Sequence, residues 1–133
     1  MTVNVLLITH DNVGQALLEA AIKTLSFCPL SAEVLSIHSD SDPELSIQQA
    51  AQKTKELEHG QGVLILTDIY GSTPSNIACA LSDIENIRIV SGINLPMLIR
   101  VLNYPNLELD ELVLKAVSGG KEGIMDCISH IHE

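Results

Sequence analysis

Two residues with the chemistry for group transfer stand directly after apolar segments. His10 follows the apolar run 3–8 and one threonine, and Asp68 follows the run 63–66 and one threonine. A neutral imidazole is a nucleophile when a carboxylate holds one ring nitrogen as a donor, because the lone pair of the other nitrogen then points outward. The pair therefore predicts a site in which Asp68 orients His10.

A segment suited to anion binding follows Asp68, in the order Gly71, Ser72, Thr73, Pro74. Glycine permits close approach of the backbone, and Thr-Pro is typical of a helix start, whose free N–H groups attract anions. Ser72 and Thr73 add hydroxyl donors. Gly71, Ser72 and Thr73 are thus predicted to bind a phosphoryl group on His10. Transfer from one histidine to another needs no metal, and no cofactor is expected.

Each of these signals also has a simpler interpretation. A histidine after a strand is often a loop residue, and Thr-Pro is often only the start of a helix. Asp68 can cap a turn of its own backbone. The functional interpretation therefore depends on whether the fold brings these residues to one place.

The other four histidines are predicted to be solvated. His38 lies near a strand end with no partner nearby in sequence, and His59 lies at a predicted helix terminus. His130 and His132 lack the nearby carboxylate or cysteine that a metal site requires. The Gly- and Lys-containing segment 118–123 lacks the Walker spacing and follows no strand, so it is not predicted to bind phosphate.

Length and composition favour one domain over residues 1–133. The chain has 46% hydrophobic but only 2% aromatic residues, so its core must be aliphatic, which suits helices packed on a sheet. The formal net charge of -10 argues against nucleic acid and anionic membranes as partners, and favours docking onto a basic protein. No leader or membrane-length apolar run is apparent, so a cytoplasmic protein without membrane insertion is expected.

The three cysteines, Cys28, Cys79 and Cys127, are odd in number and widely spaced. They form no CxxC pair and have mostly apolar neighbours. This pattern predicts buried free thiols rather than a disulfide framework or a zinc site.

Short apolar runs alternate with segments of helical length. Strands are predicted at residues 3–8, 34–37, 63–66 and 87–90. Helices are predicted to begin near Val13, at Asp42-Pro43, Thr73-Pro74, Leu95-Pro96 and Asp110. The first is expected to end near Phe27, the second at Gly60 and the last at Gly119-Gly120. The alternation predicts a three-layer α/β fold with a four-stranded parallel sheet.

The carboxyl ends of parallel strands meet at one edge of a sheet, where ligand sites form. His10, Asp68 and Ser91 all follow or end predicted strands at that edge. Strands one and three are neighbours in the usual winding order. His10 and Asp68 are therefore expected to meet.

Three segments, at residues 8–10, 66–76 and 91–98, together carry a more specific signal. They read Ile-Thr-His, then Leu-Thr-Asp-Ile-Tyr-Gly-Ser-Thr-Pro-Ser-Asn, then Ser-Gly-Ile-Asn-Leu-Pro-Met-Leu. In order and spacing the chain resembles the mannose-type (mannose/fructose/sorbose) IIA domains of the sugar phosphotransferase system. The segment 121–124 is similar to the closing motif of that family.

The resemblance implies a phosphotransferase with a phosphohistidine intermediate. His10 would accept phosphate from the phosphocarrier protein HPr through Nε2 and pass it to a IIB component on a separate chain, in sugar uptake or its regulation. Asp68 would orient Nδ1, and Thr73 with the amides at the helix start would stabilise charge. Asn94 and Pro96 would shape the neighbouring loop.

The resemblance also implies a fifth, antiparallel strand exchanged between two subunits, and hence a homodimer. The tail segment 124–128 is the candidate for this strand, although the apolar run 124–131 also fits a helix. An exchanged strand would cover apolar residues that a single chain leaves exposed.

The chain departs from the family pattern at two positions beside the site. Asp11 stands where the family usually has glycine after the histidine, and Ser72 stands where a second glycine is usual. A carboxylate of Asp11 that pointed inward would destabilise the phosphorylated state or make its donor more selective. One that pointed outward would change nothing.

Three alternatives remain open at this point. A receiver-like domain would be phosphorylated on Asp68, but such domains need an acidic pair after strand one, where Thr9, His10 and Asp11 stand. The IIA-like subunit of dihydroxyacetone kinase shares the histidine after strand one. A regulatory α/β module would keep the fold without the transfer.

Overall fold

Four parallel strands form the centre of the protein in a computed structural model that describes residues 2–128. The strands are β1 (Asn4–His10), β2 (Ala32–Ile37), β3 (Val63–Thr67) and β4 (Ile87–Ser91), in the order β2-β1-β3-β4. The helices are α1 (Val13–Leu25), α2 (Pro43–Leu57), α3 (Thr73–Cys79), α4 (Leu95–Leu102) and α5 (Leu109–Glu122). The predicted three-layer α/β architecture is confirmed.

Alternate residues of the central strands point into two separate cores. Val5 and Leu7 of β1 pack in one core with residues of α1, α4 and α5, whereas Leu6 and Ile8 pack in the other with residues of α2 and α3. Side chains of a strand alternate between the two faces of the sheet, so a strand covered on both sides must be apolar at every position. This requirement explains the continuous apolar runs of β1 and β3.

The predicted helix starts at Asp42-Pro43, Thr73-Pro74 and Leu95-Pro96 are confirmed. The side chain of Asp42 accepts a hydrogen bond from Glu44 N at 3.2 Å, and Pro43 occupies the first turn of α2. α2 ends at Leu57, three residues before the predicted Gly60, and α1 ends at Leu25 because Ser26 adopts a left-handed conformation with φ 71°.

The predicted limits of α5 were wrong at both ends. The helix begins at Leu109 with Glu108 as its N-cap, and it continues through Gly119-Gly120 to Glu122. A Cβ atom on Gly119 would lie 2.6 Å from Cβ of Arg100, so the glycine permits close packing of α5 on α4. The two glycines are therefore packing residues, although in sequence they are typical of a helix end.

The fifth strand predicted from the resemblance is not formed within the described part of this chain. Residues 124–126 have no regular structure, and residues 127–128 are helical. Ile124, Met125 and Ile128 are exposed, so the exchange of this segment between two subunits stays a prediction. The rest of the predicted tail, residues 129–131, lies outside the described residues.

The cysteines are free thiols, as predicted, but the prediction that all are buried was wrong. Cys79 and Cys127 are exposed, and Cys28 is half-buried. Of their apolar neighbours, Ala78 beside Cys79 is buried, whereas Phe27 beside Cys28 and Ile128 beside Cys127 are themselves exposed. Within residues 2–128, every helix is too short or too polar to cross a membrane.

The connection from β1 to α1 depends on a contact between Thr9 and Gly14. Gly14 N donates a hydrogen bond to Oγ1 of the buried Thr9 at 2.8 Å, and a Cβ atom on Gly14 would lie 2.6 Å from the same oxygen. Gly14→Ala is therefore expected to lower the free energy of unfolding by about 1–3 kcal/mol, because the clash forces Thr9 or α1 to move. Urea unfolding followed by circular dichroism measures the change.

A matched control is Gln15→Ala on the exposed face of the same helix turn. This substitution is expected to change the free energy of unfolding by less than about 0.5 kcal/mol. Equal stability of Gly14→Ala and Gln15→Ala would contradict the predicted clash.

Candidate functional site

His10 and Asp68 meet at the carboxyl edge of the sheet, as predicted. Their strands are hydrogen-bonded neighbours, with Ile8 opposite Thr67 in the register. Oδ2 of Asp68 accepts two hydrogen bonds from His10, one from the backbone N–H at 2.9 Å and one involving Nδ1 of the ring at 2.8 Å. The side chain of His10 is 40% exposed and that of Asp68 only 11%. The imidazole is thus held from behind and open to solvent in front.

The charge of Asp68 fixes which ring nitrogen of His10 carries hydrogen. Burial alone would raise the pKa of the Asp68 carboxyl, but hydrogen bonds from the backbone and ring of His10 and from Ile69 N outweigh burial and lower the pKa. An ionised carboxylate only accepts hydrogen bonds. Nδ1 must therefore be the donor, which leaves the lone pair of Nε2 free for attack on an electrophile.

The loop after β4 holds the backbone on the other side of Asp68. Gly92 N donates to the carbonyl of Asp68 at 3.1 Å, and Ile93 N donates to the carbonyl of Thr67 at 3.0 Å. Gly92 has a φ of 88°, a conformation that other residues rarely adopt. Ser91, which the sequence places at the same edge, bonds to Oγ1 of Thr67 at 3.0 Å. Its role is therefore to fix the end of β3.

A cavity of about 360 Å³ opens beside His10. The residues that line it come from the ends of β1 and β2, the turn before α2 and the start of α3; they are His10, Asp11, Ile37, His38, Ser39, Ser41, Pro43 and Thr73. Thr73 is exposed. Its hydroxyl forms no hydrogen bond within residues 2–128 and is free to donate to a group bound in the cavity.

The other two residues predicted to bind phosphate have hydrogen bonds of their own. The hydroxyl of Ser72 donates to the carbonyl of Ile69 at 2.6 Å, which closes the loop before α3. Gly71 N donates to Oγ of Ser75 at 3.3 Å, and Gly71 has a φ of 84°. Of the three predicted residues, the structure brings only Thr73 into the cavity beside His10.

Sequence reasoning missed the contact between Asp11 and His38. Nδ1 of His38 lies 2.9 Å from Oδ1 of Asp11, and both side chains line the cavity beside His10. His10 pairs with Ile37 in the register of β1 and β2, so the residues that follow them are also neighbours. The sequence carries no local signal for this pair, because the pair depends on the register between two strands.

His59 does not reach this site. His59 is exposed in the loop between α2 and β3, at the opposite edge of the sheet. His130 and His132 lie outside the described residues. Within residues 2–128, no three His, Cys, Asp or Glu side chains are grouped so that they could hold a metal ion.

The arrangement is suited to attack by His10 rather than by Asp68. Both oxygens of Asp68 accept hydrogen bonds, Oδ2 from His10 and Oδ1 from Ile69 N at 3.1 Å. Of the two side chains, the imidazole is the more exposed. This geometry disfavours a receiver-like site that is phosphorylated on Asp68.

Comparison with known proteins supports the same family on three counts. The family model described as "PTS system fructose IIA component" matches residues 4–117. The chain is 31% identical over 127 residues to the PTS system mannose-specific EIIAB component of Escherichia coli K12. This match covers 93% of the chain and 39% of the E. coli protein. It is also 33% identical over 86 residues to the PTS system fructose-specific EIIA component of Bacillus subtilis 168. This match covers 62% of the chain and 58% of the B. subtilis protein.

The fold is also found in a solved structure. The mannose/sorbose-specific IIA subunit of the phosphotransferase system from Enterococcus faecalis superposes with a TM-score of 0.83 at 23% identity, covering 95% of each chain. The chain spans 39% of the length of the E. coli relative and 58% of the B. subtilis one. Because the family model matches residues 4–117, the chain belongs to the mannose- and fructose-type IIA components of the sugar phosphotransferase system (PTS).

Proposed function

We propose that the chain is a phosphoryl carrier that accepts phosphate from phospho-HPr on Nε2 of His10 and passes it to a IIB component on a separate chain. The observation that carries the proposal is the 2.8 Å contact between Nδ1 of His10 and Oδ2 of Asp68, with the ring open to solvent. It directs one nitrogen toward incoming partners. In this proposal residues 1–133 form one IIA domain, which acts in the cytoplasm as a homodimer.

In the forward step, the lone pair of Nε2 attacks the phosphorus atom in line with the leaving phosphohistidine nitrogen of HPr. A new N–P bond forms on His10 as the N–P bond of HPr breaks, and no proton is transferred at His10. In the second step, a nucleophile of the IIB component attacks the phosphorus atom, and the N–P bond of His10 breaks as the phosphoryl group moves to IIB. Since the chain supplies no other covalent chemistry, its contribution is positioning and charge stabilisation.

Asp68 stabilises the phosphorylated ring. When Nε2 carries phosphate and Nδ1 keeps its hydrogen, the imidazole ring is positively charged, and the ionised carboxylate at 2.8 Å offsets that charge. The lowered pKa of Asp68 keeps the carboxylate ionised at neutral pH. The free hydroxyl of Thr73 is the group best situated to donate to a phosphoryl oxygen, while Gly71 and Ser72 support the loop that carries it.

The partners follow from the same chemistry. HPr must present a phosphohistidine to an open imidazole, and a protein with a formal net charge of -10 favours partners with basic surfaces. Nucleic acid is excluded from this proposal for the same reason. The exposed apolar residues of the segment 124–128 are the proposed contact between two subunits.

His10→Ala is expected to abolish phosphorylation, because no other residue replaces the nucleophile. The purified protein is incubated with radiolabelled phosphoenolpyruvate, enzyme I and HPr, and the label is mapped by peptide analysis. Wild-type protein is expected to carry acid-labile, alkali-stable phosphate on His10. His59→Ala, which changes an exposed histidine at the other edge of the sheet, is expected to label as the wild type does.

Three results would reject the proposed function. The first is normal labelling of His10→Ala, and the second is the absence of label on wild-type protein, which would indicate a regulatory module without transfer. The third is hydroxylamine-sensitive label on Asp68, which would indicate a receiver-like site instead. Urea unfolding of His10→Ala checks that any loss of label does not come from loss of the fold.

Asp68→Asn is expected to slow phosphorylation of His10 about 10- to 100-fold, the size of a lost charge-assisted hydrogen bond of about 1.5–3 kcal/mol. The amide oxygen can still accept a hydrogen bond, so the variant removes the charge and keeps the shape. Quench-flow measurement of label on His10 gives the rate.

The pH dependence supplies a second check on Asp68. Its pKa lies below the usual value, so the carboxylate is fully ionised above about pH 6. The ratio of the wild-type rate to the Asp68→Asn rate is therefore expected to stay constant from about pH 8 to about pH 9, above the range in which an imidazole titrates. A ratio that grew with pH in this range would mean that Asp68 gains its charge there, contrary to the hydrogen bonding observed.

A further inference from the structure

The cavity beside His10 contains a second imidazole, bound to a second carboxylate. Nδ1 of His38 lies 2.9 Å from Oδ1 of Asp11, and the two side chains line the same cavity as His10. Their side chains are 53% and 71% exposed, respectively. The arrangement repeats that of His10 and Asp68, but at the surface instead of the base of the site.

The backbone on both sides of this pair is fixed by hydrogen bonds. Asp11 N donates to the carbonyl of Ile37 at 3.0 Å, and Asp11 has a φ of 42°, in the left-handed region. His38 N donates to Oγ of Ser41 at 3.0 Å, while Ser41 N donates to the carbonyl of His38 at 3.0 Å. The backbone of each residue is therefore held in place, Asp11 by the end of β2 and His38 by a closed turn.

The pair of His38 and Asp11 determines the charge of the cavity wall next to His10. Asp11 directly follows His10 and lines the cavity with it, so a phosphoryl dianion on His10 would lie near this carboxylate. None of the residues that line the cavity within the described chain is Lys or Arg. Apart from His10, His38 is the only lining side chain that can carry a positive charge.

We propose that His38 is a positioning residue for phosphoryl transfer, which holds the Asp11 carboxylate away from the phosphoryl group and offsets its charge. The inference rests on the proposed function, because it concerns the charge environment of phosphorylated His10. His38 forms no bond to phosphorus and does not replace His10. It acts through Asp11, which directly follows His10 in the sequence.

The physical effect comes from repulsion between like charges. A free Asp11 carboxylate raises the free energy of a dianion transferred to the neighbouring residue, both in the phosphorylated state and in the transition state that leads to it. A carboxylate bound by an imidazolium adds little net charge. Loss of His38 should therefore slow phosphorylation only as long as Asp11 keeps its carboxylate.

The test is a double-mutant cycle with His38→Gln and Asp11→Asn. Single-turnover phosphorylation of His10 is measured at saturating phospho-HPr, which separates the transfer step from docking. His38→Gln is expected to slow transfer about two- to fivefold, as for one uncompensated charge at a solvated site. In the Asp11→Asn background, the same substitution is expected to change the rate by less than about 1.5-fold, because the charge that His38 offsets is gone.

The pH profile distinguishes charge from structure. An imidazole gains its charge as pH falls through neutrality, so the ratio of the wild-type rate to the His38→Gln rate is expected to be larger at pH 6 than at pH 8. Dividing the two rates cancels titrations common to both proteins. The titratable side chains on the segments that meet at this cavity are those of His10, Asp11, Asp40, Asp42, Glu44 and Asp68.

His59→Gln is the matched control, because it makes the same change at an exposed histidine on the opposite edge of the sheet. The inference is overturned if His38→Gln transfers at the wild-type rate, if its effect is as large in the Asp11→Asn background, or if the rate ratio does not depend on pH. Any of these results with normally labelled wild-type protein leaves the proposed function intact. Unlabelled wild-type protein would reject both.

Discussion

One oxygen atom of Asp68 sets both the position and the orientation of His10. It accepts the backbone N–H of the residue and a hydrogen bond from its ring, which joins the end of β1 to the end of β3. Neither bond is available without the parallel pairing of these two strands, and that pairing requires apolar residues on both faces of the sheet. The site is thus a direct consequence of how the sheet is assembled, with the surrounding loops adding the walls of the cavity.

Much of this assembly was predictable from the sequence, because the signals involved are local. Continuous apolar runs identified the strands, and Asp-Pro or Thr-Pro pairs identified the starts of α2 and α3. The usual order of parallel strands then brought His10 and Asp68 together. Each step used a rule about neighbouring residues plus one rule about how parallel sheets wind.

What the sequence did not reveal depends on contacts between distant segments. Gly119 and Gly120 are typical of a helix end in sequence. In the structure they lie inside α5, where they allow α4 to pack closely against it. This contact between two helices is visible only in the tertiary structure. The contact of Asp11 with His38 depends on the register of β1 and β2, which no short motif encodes. The hydroxyl of Ser72 donates to a backbone carbonyl in its own loop and does not point into the cavity as a donor for phosphate. Residue types alone do not show which of these two hydrogen bonds a serine forms.

The double use of Asp68 has a consequence for how this site can change in evolution. The bond to the backbone N–H of residue 10 remains whatever side chain stands there, unless it is proline, whereas the bond to the ring exists only with histidine. A descendant that abandoned transfer would lose nothing of its fold by replacing His10, but replacing Asp68 would leave a half-buried N–H without a partner. In relatives that lose the transfer activity, we therefore expect the histidine to be replaced first and the aspartate to be retained for its contact with the backbone.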